Sequence, residues 1–269
     1  MPTLSQAGLC IDYAEAGAGP PVVLLHSSVA GNRQWRKLMT LLSARHRVIA
    51  PNLHGYGATS RVDADGPHTL AAAAQVVLQL CDGLALEGPL SVVGHSWGGA
   101  VALWTARTLG PRVAQLALYE PMLPGLLAGH GCAEATDTAA MHADVARLSV
   151  AGEWAALAQR FTDYFNGDGA WAASPSERRQ AIVGLLPPNP PEWDAAMVPV
   201  RADLFAAISA RTLLMCGGAT RPALRAIAAV LQQQFPQWAF DTVPDCGHMA
   251  PLTHADIINA RLCRFLAAA

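Results

Sequence analysis

The chain has 269 residues, 52% of them apolar and only 14% charged, with a formal net charge of −2. That length and apolar content suffice to bury one large core, and the singly scattered arginines lack the basic stripe of a nucleic-acid binder. Every long apolar stretch is broken by a charge, glycine or proline, short of the ~18–20 apolar residues that a membrane span needs.

The first expected strand is the alternating stretch Leu9-Cys10-Ile11-Asp12-Tyr13, which stops at Gly17-Ala18-Gly19-Pro20-Pro21. A purely apolar run follows, Val22-Val23-Leu24-Leu25, ending in His26. Such runs suit strands covered on both faces, as in parallel sheets. The same grammar returns at Val48-Ile49-Ala50, Ser91-Val92-Val93, Leu116-Ala117-Leu118-Tyr119 and Thr212-Leu213-Leu214-Met215, and more weakly at 240–243. Between them the spacing predicts helices over 34–42, 69–84, 100–109, 222–234 and 254–266. Gly110-Pro111 supplies a stop signal for the third, and Pro222 an early helical proline for the fourth. Strands alternating with helices imply crossover connections, a parallel sheet and an α/β fold.

Residues 122–203 break that alternation. They carry helical patterns at 138–148, 153–165 and 176–185, a proline cluster at 187–191, and Trp154, Trp171 and Trp193. A structureless loop of that length is implausible in a compact domain. The expected organisation is a first core part at 1–121, a helical lid at 122–203 and a second core part at 204–269. The tryptophans are expected to fill the lid's own core or to line a pocket beneath it.

Six cysteines lie far apart without a C-x-x-C pair, which reads as reduced thiols in a cytoplasmic protein. The first eight residues have no basic residue and no apolar run, so no signal peptide is expected there. No His/Cys/Asp/Glu spacing implies a metal. No cofactor is expected, and the only expected partner is a small-molecule substrate, with neither nucleic acid nor membrane.

The chemistry is concentrated in Gly94-His95-Ser96-Trp97-Gly98, a G-x-S-x-G set between an apolar strand and an amphipathic helix. A sharp turn there lifts a serine hydroxyl above the sheet at a helix start, where developing negative charge is favoured. Glycines on both sides let strand and helix approach closely.

With this segment the chain resembles the α/β-hydrolase superfamily. Leu24-Leu25-His26-Ser27-Ser28 is similar to the family's His-Gly segment, and 51–59 to its P-D-x-x-G-x-G-x-S loop. Gly247-His248-Met249-Ala250-Pro251 is similar to the segment bearing the catalytic histidine. The resemblance implies an α/β-hydrolase fold, a mostly parallel sheet flanked by helices with an inserted helical lid. It implies Ser96 as nucleophile, His248 as base, and the backbone N–H groups of Ser28 and Trp97 as oxyanion donors. His26 and His95, beside the motifs, are expected to be structural, and His254 solvated. Ser27 stands where the family has glycine, and would be strained if that site needs a positive φ.

The acid departs from the family pattern. Thr220 stands where an aspartate is expected after the strand at 211–216. Glu120, ending the strand before the lid, faces the same crevice as Ser96 and His248 and keeps the order serine, acid, histidine. Asp245, another acid or a Ser–His dyad are the alternatives. The expected activity is a carboxylesterase-like serine hydrolase cleaving a small, mostly apolar ester or related carbonyl compound through an acyl-enzyme on Ser96. The alternatives are a carbon–carbon bond hydrolase, a cofactor-free perhydrolase or a non-catalytic small-ligand receptor.

Overall fold

The computed structural model describes residues 2–62 and 68–267. Met1, residues 63–67 and residues 268–269, which fall within the expected core parts, lie outside the described residues. Eight strands form one sheet: β1 (Thr3–Gln6), β2 (Leu9–Ala16), β3 (Pro21–Leu25), β4 (Arg47–Pro51), β5 (Leu90–His95), β6 (Val113–Tyr119), β7 (Arg211–Gly217) and β8 (Ala239–Val243). Their order is β1-β2-β4-β3-β5-β6-β7-β8. The first two pair antiparallel, and β3 to β8 are all parallel. The short edge strand β1 carries a polar sequence, TLSQ, with no apolar run to announce it.

Among the described residues twelve α-helices accompany the sheet: α1 (Arg36–Leu42), α2 (Leu70–Gly83), α3 (Trp97–Leu109), α4 (Gly125–Gly129), α5 (Ala135–Val150), α6 (Trp154–Asn166), α7 (Ala170–Ala173), α8 (Ser176–Leu185), α9 (Asn189–Met197), α10 (Pro222–Gln234), α11 (Ala250–Thr253) and α12 (Ala255–Ala267). Six of them, α4 to α9, follow one another between β6 and β7. The proline cluster reads as a helix breaker, yet it opens α9, with Pro190 and Pro191 in the first turn. Proline is tolerated there because the first-turn N–H groups have no intrahelical acceptor.

The alternation within each strand explains the two cores. Val23, Leu25, Ile49, Val92, Leu116 and Leu118 point to one face, with α2, α3 and α10. Val22, Leu24, Val48, Val93, Ala117 and Tyr119 point to the other, with α1 and α12. A strand buried on both faces must be apolar at consecutive positions, which is why these runs do not alternate in polarity. Truncating one such leucine to alanine costs about 2–5 kcal/mol.

From β3 the chain passes to β4 on one side and returns to β5 on the other. The loops leaving β3 and β5 therefore diverge at their carboxyl ends, and the crevice between them is where open α/β sheets bind ligands.

Candidate active site

Ser96 sits between β5 and α3 at φ 55° and ψ −120°, a conformation that side-chain-bearing residues rarely adopt. Two glycines permit the bend. A Cβ on Gly94 would lie 2.4 Å from the carbonyl oxygen of Gly98, and one on Gly98 would lie 2.3 Å from that of Leu25. The strand ladder also pins the bend, since Ser96 N–H donates to the Tyr119 carbonyl at 3.0 Å.

His248 follows β8 in the loop before α11, and Glu120 follows β6 at φ 43°. The three side chains meet although they are far apart in sequence. Ser96 Oγ lies 2.8 Å from His248 Nε2, and His248 Nδ1 lies 2.7 Å from Glu120 Oε2. All three are buried, at 4%, 2% and 1% exposure. Because the carboxylate accepts from Nδ1–H, Nε2 is left to accept the serine proton.

Glu120 is held by donors on both oxygens. Gly217 N–H donates to Oε1 at 2.7 Å, with the Cys216 thiol at 3.6 Å. Thr220 Oγ1–H donates to Oε2 at 2.9 Å. The threonine at the expected aspartate position thus contributes a hydroxyl to the acid housed on the neighbouring strand. Asp245 is exposed, and both imidazole nitrogens of His248 are engaged by Glu120 and Ser96 instead.

The N–H groups expected as oxyanion donors also have a local explanation. Trp97 opens α3, so its N–H has no intrahelical acceptor, and neither it nor Ser28 N–H takes an acceptor among the described residues. Ser27 is not strained as expected: the positive φ falls on Val29, at 59°. Ser27 instead has a side-chain role. Its N–H and its hydroxyl both donate to Gln34 Oε1, at 3.0 and 2.9 Å. Gln34 Nε2–H then donates to His95 Nδ1 at 3.0 Å, and His95 Nε2–H donates to the His248 carbonyl at 2.8 Å. Burial, and then the proximity of His248, hold His95 well below the ordinary imidazole range, so it serves as a neutral strut. His26 plays a similar part. Its Nδ1–H donates to the Ser27 carbonyl, its Nε2 accepts Leu53 N–H, and burial lowers its pKa to about 4. His254 is exposed.

Above the site, the Phe165 ring of α6 stacks on His248 at 4.6 Å. Beside it, a cavity of about 120 Å³ is lined by Trp97 and by Pro188, Pro191 and Glu192 of the α8–α9 region, with His54 and Arg61 opposite. A separate depression joins Ser28 to Phe161, Met249 and Leu252. None of the three tryptophans of the helical segment lines either cleft. Trp193 is buried against Tyr164 and His142, and Trp154 and Trp171 pack partly buried on the same core.

Sequence reasoning missed Gln34, Phe165 and Glu192. Gln34 and Glu192 lie in helical stretches that carry no chemical motif, and Phe165 reads as an ordinary helix-face aromatic. Among the described residues no cluster of three His, Cys, Asp or Glu side chains is arranged to hold a metal ion, and no helix is long and apolar enough to cross a membrane.

The model of the alpha/beta hydrolase family matches residues 22–261. A Synechocystis protein provisionally named a non-heme chloroperoxidase is 26% identical over 279 aligned positions, spanning 97% of this chain and 96% of that protein. The 2-hydroxy-6-oxo-2,4-heptadienoate hydrolase of Pseudomonas putida is 36% identical over 118 residues, 41% of each chain. An esterase from Exiguobacterium antarcticum superposes with a TM-score of 0.82 at 19% identity, covering 99% of both chains, which shows the shared fold. The chain therefore belongs to the alpha/beta hydrolase family and is an enzyme of the hydrolase type.

Proposed function

We propose that the protein is a serine hydrolase that cleaves a small, mostly apolar ester or related carbonyl compound through an acyl-enzyme on Ser96. The observation that carries this reading is the unbroken hydrogen-bonded chain from Ser96 Oγ through His248 to Glu120. A serine hydroxyl is a weak nucleophile until a base takes its proton, and His248 Nε2 is within reach to do so. As the proton passes to His248, Ser96 Oγ bonds to the substrate carbonyl carbon. Glu120 balances the imidazolium that forms. The carbonyl π pair moves onto oxygen, where the N–H groups of Ser28 and Trp97 stabilise it, each such donor being worth about 3 kcal/mol of barrier. Collapse expels the alcohol, which takes the proton from His248. Water then gives its proton to His248, attacks the acyl carbon and releases the acid as the Ser96 hydroxyl is restored.

The helices α6 and α9 act as a lid over the reacting atoms, and the proline-lined cleft selects a compact acyl group. The test is a fluorophosphonate probe with a panel of 4-nitrophenyl esters of increasing acyl length. The expected result is labelling that is lost in Ser96→Ala, with turnover favouring short chains. Absence of both labelling and turnover would overturn the reading. A carbon–carbon bond hydrolase is the second reading, favoured by the partial match to the Pseudomonas putida enzyme. It would show up as turnover of vinylogous diketones exceeding that of any ester.

A further inference from the structure

Glu192 and Asn189 share α9, and both are buried, at 7% and 0% exposure. Polar groups taken out of water are normally paired, because leaving one unpaired is costly. Glu192 Oε2 accepts from the Ser28 hydroxyl and, at 3.3 Å, from that of Tyr56. The Tyr56 oxygen itself accepts Val29 N–H at 2.9 Å, so its proton is free to point at Glu192. Glu192 Oε1 and both amide atoms of Asn189 have no hydrogen bond of good geometry among the described residues, although the Asn189 side chain lies close enough to the Glu192 carboxyl to favour its charged form. These three atoms make a poorly matched polar cluster, and His68 Nδ1, on the same cleft as Glu192, is a fourth buried polar atom without a partner among the described residues.

Glu192 reaches the cleft next to the expected oxyanion donors, whereas Asn189 is fully buried and does not line it. Glu192 shares its cleft with Trp97 and bonds the side chain of Ser28, the two residues read above as oxyanion donors. The His248 loop contributes no residue to that cleft, whereas Met249 lines the separate depression with Ser28 and Phe161. A leaving group that takes its proton from His248 departs on the Met249 side, so the Glu192 cleft receives the acyl chain. Its volume of about 120 Å³ is roughly that of four water molecules, enough for a short chain.

We propose that Glu192, with Asn189 beside it, forms an uncharged recognition subsite for a second oxygen (keto, hydroxy or ether) carried on a short acyl group. With Oε2 already receiving two hydroxyl donors, the acid's own proton resides on Oε1 and is presented to the ligand. Burial supports this state, raising the Glu192 pKa to about 8. The proposal names the substrate class of the acyl-transfer reading and rests on that reading.

The test compares 4-nitrophenyl 4-oxopentanoate with 4-nitrophenyl pentanoate, and methoxyacetate with butanoate. The intact enzyme should favour the oxygenated member by about tenfold or more in kcat/KM, the factor expected of one well-made polar contact. Glu192→Met should bring the ratio near one, mainly through KM. Glu192→Gln should keep it, since a carboxamide offers an oxygen to the two hydroxyls and an N–H to the ligand. Raising the pH through 8 should lower the ratio in the native enzyme and leave it flat in Glu192→Gln. That variant separates Glu192 from the other titratable groups facing the cleft and its rim, Tyr56, His54, Arg61 and His68. It also keeps the idea testable if Glu192→Met does not fold. Hydrolysis of the plain esters with a native ratio of one, or with a ratio that survives Glu192→Met, overturns the subsite alone. Failure to turn over any ester, with Ser96 inert to fluorophosphonate, brings down the acyl-transfer reading first and the subsite with it.

Discussion

Two glutamates, one at the carboxyl end of the interior strand β6 and one in the helical segment above it, are buried to similar depth and treated in opposite ways. Glu120 receives backbone, hydroxyl and imidazole donors on its two oxygens. Glu192 receives hydroxyls on one oxygen and no well-formed hydrogen bond on the other. Burial disfavours a charged carboxylate unless hydrogen bonds and opposite charge repay the lost hydration. The saturated site suits a permanent anion that backs a cation formed in the reaction. The half-satisfied site suits a neutral acid, awaiting a partner that the chain does not supply. The parallel sheet provides the first kind of site because several strand ends converge there, each offering backbone N–H groups. The helices offer few free backbone donors, so α9 can only bring side chains.

The sharpest way to break this contrast is Glu120→Gln. The amide keeps the shape but loses the charge and offers N–H where the imidazole needs an acceptor. The expected result is a fall in kcat of about 10³–10⁴-fold with the thermal transition little changed. Steady-state kinetics on the best ester would decide it, and an unchanged kcat would remove Glu120 from the mechanism.

Much of this site is legible in the chain itself. Gly94, Ser96 and Gly98 are recognisable because the bend at Ser96 demands glycines at fixed offsets, and His248 because it follows a strand-like run in a Gly-flanked loop. Glu120 is legible only as a carboxylate closing an apolar run. Thr220 looks like a missing acid, and only the pairing of β6 with β7 turns it into a donor for Glu120. Glu192 is silent for a different reason. The proline cluster hides α9 as an element, and nothing in the chain says how that element docks over the loops leaving β3 and β5. Ser27 misleads in the same way, because the chain does not show that the positive φ falls on Val29 or that Gln34 holds the serine.

The second test turns on pH and concerns stability rather than turnover. Glu192 has a folded pKa of about 8 against an ordinary value of 4.5. The unfolded chain therefore loses this proton first as pH rises, and stability present below about 4.5 is progressively lost up to about 8. Linkage puts the full loss on the order of 5 kcal/mol. Glu192→Gln cannot titrate, so its melting temperature should fall less between pH 5 and pH 8 than that of the native protein. Parallel profiles for the two proteins would mean that Glu192 is already charged, and that the two glutamates are not opposites.

The smallest effect belongs to Thr220, which probes how completely Glu120 is held. Thr220→Val preserves shape while removing one hydroxyl donor from Oε2, where a hydrogen bond to a charged group is worth about 1.5–3 kcal/mol. Gly217 N–H and His248 remain in place, so the carboxylate is still held and only its aim loosens. A fall in kcat of about tenfold with KM nearly unchanged is expected, because the interaction matters most when the imidazolium forms. The reciprocal change sharpens the point. Thr220→Asp alone sets a second carboxylate against Glu120 and should depress kcat by like-charge repulsion. In the Glu120→Gln background the same aspartate has no rival and stands within reach of the same ring, so part of the lost rate should return. Rates that multiply independently in the double variant, with no rescue, would mean that residue 220 touches the acid but cannot serve the histidine.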